Sequence, residues 1–401
     1  MSDYHVRTTC RLCDAPLPEE RCLDLGETPL SNEYLDTAEA SLNQQRFPLY
    51  LKQCTACGHV QLPIVVNPGR LWGPKYAYQS GTSPVFRKHL EELADEIAAI
   101  AGKDTRNGAV LEIGCNDGTL IQQLEYHGLM PTGVDPSYTG DHGGIIRESW
   151  PCNVGTQKYK VIVALNVFAH VDNLRGFTAA IAEALAPDGV CIVEVGYLPD
   201  VIERGLFDTV YLEHCSYHHL TPLLPFFQRH GLEVFDAKRI ESQGGSVRIY
   251  LKRGPVGMTK TLYELVEAET GLDVGKLRQR IDSTRNVFRL FDYYRNSKGL
   301  PYIDIYGCPA KLTTLLSVIG EFERSDYGRT VIYDDNPLKV GKFAPGTYLP
   351  IVPSQQMQDR QPAYCLIASW NFASEIMKRQ REIGFRGKFI VPIPEVRIYG
   401  P

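Results

Sequence analysis

A chain of 401 residues is too long for one ordinary hydrophobic core, so the sequence predicts two or three domains. Apolar residues make up 43% and charged residues 22%, as in soluble globular proteins, and no apolar run reaches the ~20 residues that a membrane helix needs. The net charge of −5, without a basic tract, argues against nucleic-acid binding.

The N-terminal region, residues 1–75, is rich in proline and cysteine and shows no helical period. Its start, MSDYHVRTTC, lacks the layout of a signal peptide, so we expect a cytoplasmic protein whose cysteines bind metal rather than form disulfides. Two CxxC pairs stand in this region: Cys10 with Cys13, and Cys54 with Cys57. Each pair brings two thiolates to one side of a tight turn, and four thiolates leave no open position, so we predict a structural zinc site. Cys22 and His59 are the alternative ligands.

The next region, residues 76–254, alternates strand and helix signals. Ser83 followed by Pro84 predicts a helix start, and Gly102 predicts its end. Apolar runs predict strands at 109–113, 131–134, 159–165 and 189–195. Thr221 and Pro222 predict the start of another helix, and β-rich stretches follow at 232–239 and 246–252. Strand–helix alternation ending in an antiparallel pair is the layout of a class I, Rossmann-like methyltransferase sheet.

The segment VLEIGCNDGT, from Val110, is the most specific single motif. A buried strand runs into a turn around Gly114 and Gly118, where a ligand can approach the backbone closely. The spacing is GxxxG rather than the GxGxxG of dinucleotide sites, and the acidic residues suit a cationic sulfonium better than a pyrophosphate. We therefore predict S-adenosylmethionine as the cofactor, with Asp135 on its ribose hydroxyls. The predicted cofactor-binding residues are Glu112, Gly114, Asn116, Asp117, Gly118, Asp135 and Asn166.

Two loops that follow the third and fourth predicted strands carry residues suited to proton transfer. NVFAHVDN contains His170, and FDTVYLEHCSY contains Tyr211, Glu213 and His214. Both loops lie at the carboxyl edge of the predicted sheet, where ligands bind in open α/β folds. A general-base cluster results if the histidine takes a proton, the glutamate orients it and the tyrosine donates to an oxyanion.

From residue 255 the pattern restarts as a second, smaller α/β unit. It predicts a long charged helix over 258–296, a helix over 310–319, and strands at 302–306, 330–333, 364–368 and 388–392. Lys311 lies in a strand-to-helix turn, GCPAK, where it can meet a phosphate. Tyr76 and Tyr78 are candidates for the catalytic cleft, although a packed linker fits their pattern equally well. The candidate substrate-binding residues are Tyr217, Ser246, Arg248 and Lys311.

Together these motifs resemble the nucleotide-sugar C-methyltransferases of branched deoxysugar biosynthesis, whose best-known kind methylates C3 of a dTDP-4-keto-deoxysugar. The likeness includes CRLC, CTACGHVQL, YAYQSG, VLEIGCNDG, NVFAHVDN, FDTVYLEHCSY, QGGSVR and IASWNF. The resemblance implies a zinc-binding module over 1–75, a cofactor domain over 76–254, and a C-terminal α/β domain over 255–401 that closes over the sugar nucleotide. It also implies that a base removes the proton beside the C4 ketone and that the enolate attacks the sulfonium methyl. By position, His214 is the implied base, assisted by Tyr211, Glu213, His170 and Tyr76 or Tyr78.

Two alternatives stay open from the sequence. The stretch between Asp135 and Val161 is short for this fold and shows no clear helix, so a degenerate cofactor pocket would leave an enolising enzyme such as an epimerase. The other alternative is a non-enzymatic zinc-headed scaffold, which the clusters of catalytic residue types argue against.

Overall fold

The computed structural model describes residues 3–72, 76–102, 109–299, 301–320 and 329–401. These residues form two compact units, each built from several stretches of chain. The first contains the described parts of 1–21, 51–199 and 214–272, and the second those of 22–50, 200–213 and 273–401. Within the described ranges, no helix combines the length and the apolar character that a membrane crossing requires.

Short strands dominate the N-terminal part of the chain. The strands are β1 (Tyr4–Val6), β2 (Leu23–Thr28), β3 (Phe47–Gln53), β4 (Val60–Gln61) and β5 (Ile64–Val66), and the helices are α1 (Ala38–Leu42) and α2 (Pro68–Leu71). In the first unit, β1 pairs antiparallel with β5, and the end of β3 pairs antiparallel with β4.

The middle of the chain builds a seven-stranded sheet in the first unit. The elements of this part of the chain are α3 (Pro84–Ala101), β6 (Ala109–Ile113), α4 (Thr119–Tyr126), β7 (Met130–Val134), β8 (Ile145–Ile146), β9 (Tyr159–Leu165), α5 (Leu174–Ala184), β10 (Leu185–Gly196), α6 (Leu198–Glu203), β11 (Ser216–Tyr217), α7 (Leu220–Gln228), β12 (Leu232–Ile240), β13 (Ser246–Arg253) and α8 (Lys260–Ala268). Of these, β11 pairs with β4 outside the seven-stranded sheet, and most of α6 belongs to the second unit. The sheet order is β12-β13-β10-β9-β6-β7-β8. The pairs made by β13 are antiparallel and the others are parallel. The predicted sheet with a terminal antiparallel pair is confirmed.

Helices cover both faces of this sheet. Alternate residues of β9 point to opposite faces: Val163 packs with Leu93 of α3, and Ile162 packs with Phe177 of α5. The helix start predicted at Ser83 is confirmed, since the Ser83 side chain accepts a hydrogen bond from the Phe86 amide. The helices and the sheet therefore form three layers.

The start of α7 differs from the prediction. The helix begins at Leu220, before the predicted Thr221–Pro222 cap. Glu269, which follows α8, caps it instead: its carboxylate accepts from the amides of Leu220 at 2.6 Å and Thr221 at 2.7 Å. A cap from a residue so far away in the chain leaves no local sequence signal.

The C-terminal part of the chain builds the sheet of the second unit. Its elements are α9 (Lys276–Lys298), β14 (Ile303–Tyr306), α10 (Lys311–Ile319), β15 (Ile332–Asp334), β16 (Ile351–Pro353), α11 (Gln356–Arg360), β17 (Tyr364–Ile367), α12 (Ala373–Glu382), β18 (Lys388–Val391) and β19 (Arg397–Tyr399). The sheet order is β16-β15-β14-β17-β18-β19, and all pairs except β18–β19 are parallel. The predicted smaller Rossmann-like unit is thus confirmed. The single long helix predicted over 258–296 is wrong: α8 and α9 are separate helices, and Gly271 between them has a φ of +78°.

Candidate functional site

Four cysteine sulfurs converge in the first unit. The Sγ atoms of Cys10 and Cys57 lie 3.6 Å apart, and those of Cys13 and Cys54 lie 3.5 Å apart. All four sulfurs lie within 4.8 Å of one another. A tetrahedral zinc ion with bonds of about 2.3 Å to sulfur needs sulfurs about 3.8 Å apart, so this cluster fits the ion. The predicted zinc site is therefore a closed, structural one.

The turns around the cysteines have the backbone geometry of zinc knuckles. The Gly58 amide donates to the Cys54 carbonyl at 2.8 Å, and Gly58 has a φ of +81°, which favours glycine. The two alternative ligands lie outside the cluster. His59 is fully buried with its Nε2 3.2 Å from the Ser216 hydroxyl, and Cys22 belongs to the second unit.

Replacing Cys13 by serine is expected to lower the zinc content from about one ion per chain to well below that, because three thiolates hold the ion far less tightly than four. Metal analysis after dialysis against a chelator measures this loss. Cys152→Ser is the matched control, since Cys152 is partly buried and lies outside the cluster. Wild-type protein that carries no zinc would contradict the assignment.

The turn after β6 is shaped by residues in the left-handed region. Gly114 and Gly118 have a φ of +77°, and Asn116 has a φ of +51°. A Cβ added at Gly114 would lie 3.0 Å from the Cβ of Val167, and one at Gly118 would lie 3.1 Å from the Cδ1 of Ile145. Both the backbone conformation and the close packing therefore require glycine here.

Two carboxylates border this glycine turn. Asp135, after β7, accepts from the Asn116 amide at 2.9 Å and from the Ser137 amide at 2.7 Å. Glu112 is 4% exposed, and its Oε2 has no hydrogen-bond partner among the described residues. Burial, together with the charges of Asp135 and Asp117, raises the pKa of Glu112 to about 8. A buried carboxylate without a donor is stabilised by a cation, so the turn fits the sulfonium and ammonium groups of S-adenosylmethionine.

Asn116 and Asp117 hold the segment that precedes α3. The Asn116 side chain accepts from the Ser80 amide at 2.8 Å and donates to the Tyr78 carbonyl at 3.0 Å. The Asp117 carboxylate accepts from the Gly81 amide at 2.8 Å. These two predicted cofactor residues therefore fasten the YAYQSG segment beside the glycine turn.

The two predicted catalytic histidines of the first unit are stacked on each other. The ring centroids of His170 and His214 lie 5.1 Å apart with 21° between the planes. Trp72 also stacks on His170, at 4.9 Å and 17°. Burial and the neighbouring His214 keep the pKa of His170 well below its ordinary value, so the His170 ring is neutral near pH 7.

Contacts connect this histidine pair with the glycine turn. The Trp72 ring lies 5.1 Å from Tyr76, and Tyr76 lies 6.5 Å from Tyr78, all between ring centroids. Gly114 packs so closely beside Val167, three residues before His170, that an added Cβ would lie 3.0 Å from the Val167 Cβ. The predicted cofactor turn, the aromatic segment and the histidine pair thus lie together at one edge of the sheet.

The other predicted residues of the first unit make internal contacts. Asn166, after β9, has a φ of +53°, and its amide donates to the Glu194 carbonyl at 2.7 Å. Tyr217 is buried with its ring 6.3 Å from that of His214. Ser246 donates to the Ser242 carbonyl at 3.0 Å. Arg248 is 7% exposed and pairs with Glu194 at 3.1 Å and with Glu96 at 2.8 Å. Arg248 therefore takes part in a buried ion-pair network, whereas Tyr217 lies against the histidine pair.

Tyr211 and Glu213 belong to the second unit, although they lie within three residues of His214 in the chain. Glu213 is 2% exposed, and its Oε1 accepts from the Asn32 side chain at 3.2 Å. Burial raises the pKa of Glu213 to about 7. Tyr211 is half-buried.

Lys311 lies at the start of α10 in the second unit, between β14 and β17, where the sheet order reverses. Its Nζ is 3.9 Å from the centroid of the Trp370 ring and 2.6 Å from the Asn371 Oδ1. Burial lowers the pKa of Lys311 to about 8. The Trp370 indole donates to Asp208 at 2.6 Å. No local sequence signal marks Asp208 or Trp72, because their contacts are with distant segments, Asp208 with Trp370 and Trp72 with His170.

Comparisons with known proteins cover almost the whole chain. Three family models match it: a zinc binding domain over residues 10–72, a methyltransferase domain over 86–237, and a C-methyltransferase C-terminal domain over 241–394. The C-methyltransferase NovU of Streptomyces niveus is 28% identical over an alignment of 415 positions, which covers 97% of this chain and 96% of NovU.

Some solved structures resemble part of the chain. The CcbJ methyltransferase from Streptomyces caelestis is 13% identical with a TM-score of 0.35, over 46% of this chain and 98% of its own. An S-adenosylmethionine-dependent methyltransferase from Clostridium acetobutylicum is 12% identical with a TM-score of 0.34, over 42% of this chain and 92% of its own.

Proposed function

Since the chain belongs to the S-adenosylmethionine-dependent C-methyltransferase family, we propose that it methylates the carbon beside the ketone of a nucleotide-linked 4-keto-deoxysugar, with His214 as the base. The observation that carries this proposal is the stack of His214 on a neutral His170, whose loop leaves no room for a side chain at Gly114 of the glycine turn. The family assignment argues against the two alternatives, an enolising enzyme without the cofactor and a zinc-headed scaffold.

Methyl transfer to carbon needs a base in addition to the cofactor. The cofactor supplies an electrophilic methyl group, and the carbon becomes a nucleophile when its proton is removed. A ketone next to that carbon makes the proton acidic enough for an imidazole to take it, because the negative charge of the resulting enolate moves onto the ketone oxygen. This requirement supports a keto-sugar over a sugar without a carbonyl group.

The neutral His170 ring favours His214 as the proton acceptor. A charged neighbour at a centroid distance of 5.1 Å would oppose protonation of His214, whereas a neutral ring does not. The stacked faces of His170 and Trp72 also hold the His214 ring in one orientation, which a proton transfer to a fixed position requires. Tyr76 and Tyr78, which continue the aromatic contacts, are proposed to line the same cleft.

We propose that Lys311 binds a phosphate of the nucleotide. It is a cation at a helix start, at the carboxyl edge of the second sheet and at its switch point, where ligands bind in parallel α/β sheets. The Trp370 ring keeps the ammonium group in place through a cation–π contact. In the first unit, by contrast, the negative charges of Asp117 and Asp135, which also raise the pKa of Glu112, disfavour an anion beside the glycine turn.

Product analysis tests the proposed function. The protein is incubated with a dTDP-4-keto-deoxysugar and S-adenosylmethionine whose methyl carbon is isotopically labelled. We expect carbon–proton correlation NMR to show a labelled methyl group bonded to the ring carbon beside the ketone. A label on oxygen or nitrogen, or label transfer to none of a panel of keto-sugar nucleotides, would refute the substrate class.

A further inference from the structure

We infer that Arg11, inside the first zinc knuckle, is a positioning residue that sets the distance between the loops of His170 and His214. The inference rests on the proposed function, because those two histidines matter through that reaction. Arg11 stands between Cys10 and Cys13, and only 1% of it is exposed. A charged side chain is rarely buried so completely unless its donors are used.

One side of the Arg11 guanidinium holds the loop of His214. Its Nη1 donates to the carbonyl of Cys215, the residue after His214, at 3.0 Å. The same atom donates to the carbonyl of Leu62 at 2.7 Å and to the side chain of Gln61 at 3.1 Å. Gln61 lies in β4, which pairs with β11 directly after the His214 loop. The end of the His214 loop thus pairs with the zinc module through β11, and the Arg11 side chain adds a hydrogen bond to the same loop.

The other side of the guanidinium holds the loop of His170. The Nε and Nη2 of Arg11 each lie 3.1 Å from the Oδ1 of Asp172, two residues after His170. Arg7 pairs with the same carboxylate at 3.2 Å, from a partly exposed position. A single planar group therefore bridges the two loops whose histidine rings stack.

The chemistry of arginine suits this bridge. Its planar fork presents five donors in fixed directions, which a lysine does not. Zinc bound by Cys10 and Cys13 would hold the knuckle that carries Arg11. Arg11 in turn contacts both loops, through Asp172 and Cys215. A shift of about 1 Å between catalytic groups can cost roughly 100-fold in rate, so the structural metal would act on catalysis through this residue.

The test compares Arg11→Met with the control Arg7→Met in the full-length zinc protein. The readout is the rate of solvent deuterium exchange at the carbon beside the ketone. Arg11→Met is expected to lose roughly 30-fold or more of this rate, with unchanged zinc content and unchanged S-adenosylmethionine affinity. Arg7→Met removes a partly exposed ion pair to Asp172 and is expected to stay within about 3-fold of wild type.

Two further measurements separate positioning from general damage. NMR of carbon-13-labelled histidine is expected to show the His170 and His214 ring signals moving in Arg11→Met, as their stacking changes. Arg11→Lys keeps the charge and is expected to recover part of the rate, and it serves as the test if Arg11→Met does not fold. A rate within about 3-fold of wild type in Arg11→Met, or in Arg11→Lys when only that variant folds, overturns the inference. Wild-type protein that exchanges no deuterium would instead refute the proposed function.

Discussion

Replacing His214 by asparagine is expected to lower solvent deuterium exchange beside the ketone by about 100- to 10,000-fold, the usual contribution of a general base. Asparagine fills a similar space and keeps a hydrogen-bonding group, but it does not accept the proton. Affinity for S-adenosylmethionine should change little, because the residues proposed to bind the cofactor lie around the glycine turn and not in the His214 loop. Mass spectrometry of substrate recovered from deuterated buffer measures the exchange, and calorimetry measures the affinity.

The control for this variant is His127→Gln. His127 ends α4 in the same unit and pairs with Asp95 at 3.2 Å, outside the stacked pair. This variant should exchange at the wild-type rate. If His214→Asn keeps the wild-type exchange rate, another residue is the base, and His170 becomes the next candidate.

Replacing Glu112 by glutamine is expected to weaken S-adenosylmethionine binding by about 10-fold or more, with a smaller loss for S-adenosylhomocysteine. The two ligands differ in the sulfonium charge, and the buried carboxylate with a free Oε2 favours that charge. Calorimetry with both ligands measures the two losses. Glu125→Gln, at an exposed carboxylate that pairs with His142, is the control and should bind both ligands normally. Equal losses for both ligands would contradict a role for charge.

Glu112→Gln should also change how the free energy of unfolding depends on pH. The pKa of Glu112 in the folded protein is raised to about 8, above the ordinary value of the unfolded chain. Its contribution to stability is therefore fully present at acid pH, below the unfolded pKa, and is lost as the pH rises towards 8. Over that range the free energy of unfolding should fall by up to about 1.4 kcal/mol per pH unit in wild type relative to Glu112→Gln. Urea unfolding at pH 5.5 and pH 7.5 checks this, and parallel profiles for the two proteins would contradict it.

Much of the fold was predictable because its signals are local. Ser83 and Pro84 mark the start of α3, apolar runs mark the buried parallel strands, and the GxxxG spacing marks the turn after β6. The two CxxC pairs marked the zinc site for the same reason, since each knuckle is closed within a few residues. The family resemblance added an expected role for each of the three regions that the local patterns separate.

The rest depends on contacts between distant segments. Arg11 looks like a surface residue of a knuckle, yet it reaches Asp172 and Cys215, more than 150 positions away in the sequence. Trp72 follows α2, and only the fold shows that it stacks on His170.

The prediction of one long helix over 258–296 was wrong for a local reason: Gly271 takes a left-handed conformation, which separates α8 from α9.

The partial reaction of the wild-type protein in deuterated buffer shows whether the chain acts as a base on a keto-sugar nucleotide. The keto-sugar nucleotide is supplied with S-adenosylhomocysteine, so that the site is filled but no methyl group can be transferred. We expect one deuteron to enter at the carbon beside the ketone. If the sugar nucleotide and S-adenosylhomocysteine both bind and that carbon keeps its proton, the chain does not act as a base on this substrate class.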